Sequence, residues 1–130
     1  MSALPKARQG GFVTFVRAAI ILQTATILVQ AISAGLLLTT PAGETLHGIG
    51  ARVVFAAALL HLAAAVLVWR PGGGSPRPAW YALGFLLLTS AQVALGIARV
   101  PALHVPLGVL MFGVSLAQLV TARTAQPQHR

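Results

Sequence analysis

The chain has 130 residues, of which 57% are hydrophobic and 8% charged, and its mean hydropathy is +0.85. Soluble domains carry about 25% charged residues, so this composition excludes a soluble domain and identifies a membrane chain. The formal charge of +8 does not mark a nucleic-acid partner, because Lys and Arg stand singly between apolar blocks rather than along one face. The absence of cysteine removes disulfides, thiolate metal sites and cysteine nucleophiles.

In chain order, residues 1–17 are a basic tail containing Lys6, Arg8 and Arg17. Four apolar blocks follow: Ala18–Leu38, Ile49–Trp69, Trp80–Ala98 and Ala102–Thr121. Each has roughly the ~20 residues that a helix needs to cross a ~30 Å hydrocarbon core. The pattern predicts an all-α, up-down-up-down four-helix transmembrane bundle over residues 18–123, with a short tail at 124–130. The connection RPGGGSPRP (70–78) is rich in helix breakers, TTPAGE (39–44) is shorter, and RVP (99–101) is a tight turn. Lys6, Arg8, Arg17, Arg70, Arg77, Arg123 and Arg130 fall at one end of the expected bundle, and only Arg52 and Arg99 at the other. The positive-inside rule then predicts a multi-pass protein of the cell membrane with both termini cytoplasmic. The first apolar run is too long for a signal-peptide core and reads as an anchor.

An internal repeat is the most informative feature. Residues 46–62 (LHGIGARVVFAAALLHL) laid over 103–119 (LHVPLGVLMFGVSLAQL) pair Leu46 with Leu103, His47 with His104 and Phe55 with Phe112 at a constant offset of 57. Upstream, QAISAG (30–35) lies over QVALGI (92–97), pairing Gln30 with Gln92 and Ala34 with Gly96 if the first outer loop is five residues longer. The bundle is thus a duplicated helical hairpin.

In such a bundle the second and fourth helices run parallel across the diagonal, so His47 and His104 are expected at one height on the outer side. Two facing imidazoles there suit one b-type haem iron per chain. Ala51 and Gly108 stand one turn further in on the same faces, leaving room for a porphyrin edge, and Gln30, Gln92, Ala34 and Gly96 line the neighbouring helices. Arg52 and Arg99 either pair with haem propionates or reach the outer head groups. Glu44, the only acidic residue, precedes His47 by three positions. It serves either chemistry at the iron or the positive end of the second helix. Zinc is disfavoured by a set of two histidines and one glutamate. His61 lies 14 residues beyond His47, about 21 Å along the axis, and its repeat partner is Gln118. A buried hydrogen bond among His61, Gln118 and Gln23 is the plain expectation, and a quinone or proton site the functional one.

The succession of a first-helix glutamine, ETLH, QVALGI and ALHVPLG resembles one four-helix half of haem A synthase, an eight-helix membrane enzyme whose halves each hold a haem-type site between two histidines. The resemblance covers residues 18 to 123, and the HGIGA and ALHVP openings are also similar to those of small four-helix membrane proteins of unknown function. It implies that His47 and His104 are the axial pair and that Glu44 matches the family's glutamate. Gly48 stands where that family usually carries arginine, the loop cysteine pair is absent, and only one half is represented. Electron transfer or haem handling is therefore expected rather than complete haem A synthase activity. The expected partners are membrane lipid, haem, and a second copy or another membrane subunit. A cofactor-free membrane scaffold is the alternative.

Overall fold

In lipid no water competes for backbone groups, so apolar segments of this length satisfy their N–H and C=O groups internally as helices. The computed structural model describes residues 6–124, with side chains described over 10–123. It contains α1 (Lys6–Leu37), α2 (Gly43–Trp69), α3 (Arg77–Ile97) and α4 (Pro101–Thr124), and no strand among the described residues. All four are long and apolar enough to cross a membrane, and the protein is a multi-pass membrane bundle.

All four helices begin earlier than their apolar blocks, the first two by the most. The first starts at Lys6 rather than Ala18, and Val16 in the added stretch packs with Ala19 and Ile20 against Ala64 of α2. The second starts at Gly43 rather than Ile49, which places Glu44 in its first turn and His47 just beyond. Gly43 is buried where the chain doubles back, and a Cβ there would run into the backbone of Leu36 and Leu37. Proline opens α4 at Pro101, where a missing N–H costs nothing.

The turn between α3 and α4 closes with a Schellman arrangement. Val100 N–H bonds to Leu95 C=O at 3.0 Å and Arg99 N–H to Gly96 C=O at 3.2 Å. Arg99 occupies the left-handed position at φ 54°, which glycine usually fills.

Each helix touches its two sequential neighbours around a ring, with α1 closing onto α4, and the pairs α1/α3 and α2/α4 lie across the diagonals. The central cluster draws on all four helices: Ile27, Val54, Ala58, Phe85 and Met111. Elsewhere the contacts are made by small residues, as in the cluster of Ala65, Ala79 and Ala82 between α2 and α3. Small side chains let helix backbones approach where lipid supplies no hydrophobic drive for association. The outer surface is apolar, with Val29, Ile32, Val109 and Leu110 all more than half exposed.

Candidate functional site

The duplication places one glutamine and one histidine per hairpin at the end of the bundle where α2 and α4 begin. In the first hairpin, Gln30 Nε2 of α1 donates to the His47 carbonyl of α2 at 2.9 Å. In the second, Gln92 Nε2 of α3 donates to the His104 carbonyl of α4 at 2.8 Å. The same side chain thus ties the entry of the following helix twice, and a glycine admits it each time. A Cβ on Gly50 would collide with Gln30 Oε1, and one on Gly108 would lie 3.0 Å from Gln92 Nε2. The smallness of Gly108 therefore serves Gln92, whose amide lies against it. Ala51 is half-buried beside Gly50.

His47 and His104 meet across the diagonal with ring centroids 6.0 Å apart and planes at 69°. No apolar side chain fits between rings this close. Two metal–nitrogen bonds of about 2.0 Å plus the two ring radii give about 6 Å, so the spacing matches a shared metal. His104 Nδ1 lies 3.0 Å from the Gln92 carbonyl. A carbonyl only accepts, so Nδ1 carries the hydrogen and Nε2 keeps its lone pair, the tautomer a metal ligand needs. His47 Nδ1 lies 3.1 Å from Ser33 Oγ, whose own hydrogen is shared between the Gln30 carbonyl at 2.8 Å and Gln30 Oε1 at 3.2 Å. His47 therefore donates from Nδ1 as well. The His104 ring is seated on Gly96, where a Cβ would stand 3.2 Å from Cε1.

One buried side-chain oxygen at the site has no partner among the described residues. Gln92 Oε1 is buried and accepts no hydrogen bond among the described residues. Its counterpart, Gln30 Oε1, accepts from Ser33 Oγ at 3.2 Å. In the repeat, Leu95 stands where Ser33 stands, so the second hairpin lacks the donor. Ser33 is the site residue that sequence reasoning missed. Its signal was the i, i+3 spacing from Gln30, which puts both on one helix face.

Of the other nominated residues, Arg52, Arg99 and Glu44 bond to neither ring among the described residues. Arg52 and Arg99 are exposed at this end. Glu44 is exposed and makes no side-chain hydrogen bond or ion pair among the described residues. No group of three or more His, Cys, Asp or Glu gathers among the described residues. Two imidazoles alone suit a metal whose remaining positions are filled by its own macrocycle.

His61 belongs to a separate cluster. Its Nδ1 lies 3.0 Å from Gln23 Oε1, and Gln23 Nε2 donates to Ser115 Oγ at 3.0 Å and to Gln118 Oε1 at 3.3 Å. Thr24 Oγ1 lies 2.7 Å from Ser115 Oγ. Gln23 is the hub of this network, which is buried except at the half-buried Gln118, and Gln118 reaches His61 only through it. The described cavity of about 150 Å³ lies beside the α2–α3 connection, lined by Phe12, Val13, Val68 and Gly72 to Gly74, away from both clusters.

No protein-family model, curated protein or solved structure matches the chain.

Proposed function

We propose that this protein is a cell-membrane electron carrier or haem-handling protein that holds one b-type haem between His47 and His104 at the outer end of the bundle. The observation that carries the reading is the pair itself. Two imidazoles from diagonal helices converge to 6.0 Å, with Nδ1 of His104 bonded to a peptide carbonyl and its Nε2 lone pair unspent. When bound, the haem supplies a one-electron iron couple in a low-dielectric setting. The chain's own residues do the rest. Gln92 sets the His104 tautomer, Gly96 seats the ring, and Ser33 orients His47. Arg52 and Arg99, exposed at the same end, are the cations for two propionates. Glu44 complements the positive end of α2, consistent with its place in the first turn. The resemblance to one half of haem A synthase is in keeping with this assignment. The excess of Lys and Arg at the opposite end supports a cytoplasmic location for both termini.

A cofactor-free scaffold is the second reading. It is favoured by the edge-on contact of the two rings and by the protein partners that already satisfy both Nδ1 atoms. Absorption spectroscopy separates the two. Purified protein titrated with haem b should develop the Soret and α/β bands of a low-spin bis-histidine haem. His47→Ala and His104→Ala should each abolish that spectrum, while His61→Ala should keep it. A wild-type protein that takes up no haem leaves the scaffold reading.

A further inference from the structure

The two histidines are held differently. The acceptor of His104 Nδ1 is a peptide carbonyl built into α3, and its Nε2 has no hydrogen-bond partner among the described residues. A carbonyl partner fixes the ring and raises its basicity as a ligand. The acceptor of His47 Nδ1 is the Ser33 hydroxyl, a rotatable group at 3.1 Å. Gln30 Nε2 also lies 3.4 Å from His47 Nε2, so a donor already faces the lone pair that a metal would take. His104, in addition, sits on Gly96 and follows a tight turn, whereas His47 follows a longer connection.

We infer that the site is unequal: His104 is the permanent iron ligand, and His47 is an exchangeable one that yields its position to a small diatomic ligand. The inference rests on the haem reading above. The exchange is a ligand substitution without redox change. The bond from iron to His47 Nε2 breaks, and its electron pair returns to the imidazole. The incoming molecule supplies its own pair to the iron. The released Nε2 accepts the Gln30 amide hydrogen, which compensates the lost bond. No proton is gained or lost. Gln30 and Ser33 are positioning residues in this scheme, since both act through His47.

The test is carbon monoxide binding to the ferrous, haem-loaded full chain in detergent, followed by the Soret shift. Wild-type protein should bind carbon monoxide with an affinity reduced by the fraction of time His47 is off the iron. His47→Ala should retain haem as a five-coordinate species and bind carbon monoxide about tenfold or more tightly, because the competing ligand is gone. His104→Ala should lose haem, or hold it with no such gain. Two milder variants guard against misfolding. Ser33→Ala should raise carbon monoxide affinity severalfold by loosening His47, and Gln30→Leu should lower it by removing the amide that captures the released imidazole. Equal haem retention and equal affinity in the two histidine variants would overturn the inequality. So would a wild-type bis-histidine spectrum that carbon monoxide leaves unchanged, with the haem reading intact. Failure of the wild type to take up haem removes both.

Discussion

At the scale of single residues, the two glutamines show how one side chain in two settings acquires two energies. Gln30 spends both ends of its amide, on the His47 carbonyl and on Ser33 Oγ. Gln92 spends only its nitrogen, and its buried oxygen is unpaired. A buried unpaired acceptor costs about 1–3 kcal/mol, so removing Gln92 relieves a cost while breaking a bond. Gln30→Leu should therefore destabilise the haem-free protein by about 1 kcal/mol more than Gln92→Leu, as read by thermal unfolding in detergent. The reverse order would show that Gln92 Oε1 has a donor. Arg99 poses a similar question on the backbone. A side-chain-bearing residue at φ 54° is strained by about 1–2 kcal/mol relative to glycine, partly offset by the greater freedom of an unfolded glycine. Arg99→Gly should raise stability by about 0.5–1 kcal/mol. If Arg99 also faces a propionate, the same variant should shift the potential of the loaded haem. A loss of stability would mean that the guanidinium outweighs the strain.

At the scale of elements, the helices are held by small residues in register. On α2, Val54, Ala57, Ala58, His61, Ala64 and Ala65 form one buried stripe, and lipid-facing positions such as Ala56 interleave with it. Ala64 is completely buried against Val16, Ala19 and Ile20 of α1. Enlarging it forces two backbones apart, and overpacking of this kind costs about 1–3 kcal/mol. Ala64→Leu should lower the unfolding midpoint clearly, whereas Ala56→Leu should leave it nearly unchanged. Equal effects would place α1 and α2 further apart than described. The His61, Gln23 and Ser115 network adds polar connections between α2, α1 and α4 in the same part of the bundle. It gives a core of small side chains a directional element that apolar packing lacks.

At the scale of the whole molecule, the charge asymmetry predicts the orientation and the duplication brings the two histidines to one height. With four antiparallel helices, the start of α1 and the end of α4 lie on one side. Arg17, Arg70, Arg77 and Arg123 belong to that end, and Arg52 and Arg99 to the other. A reporter that is active only in the cytoplasm should therefore work when fused after the last residue and fail when inserted in the turn between α3 and α4. The opposite pattern would invert the bundle and put the histidine pair on the cytoplasmic side.

Much of this protein is legible in its linear order. Four blocks of apolar residues long enough to cross a bilayer leave no alternative to helices, because lipid offers the backbone no other partner. The repeat of Gln30 and His47 in Gln92 and His104 announced the hairpin duplication and the height of the site, since equal offsets along parallel helices become equal depths. The helix starts were less legible. Hydropathy marks where a segment becomes apolar, whereas Val16 lies before its block yet packs on Ala64 of α2, and Gly43 lies before its block where the chain doubles back on Leu36 and Leu37. The inequality of the two hairpins was hidden for a related reason. Ser33 and Leu95 are ordinary residues in helical sequence, and only the fold brings one of them onto an imidazole and leaves the other without a donor to offer. Pattern determines which face a residue occupies; which atom it meets there depends on the rotation and approach of two helices, and those are set by packing across the whole bundle.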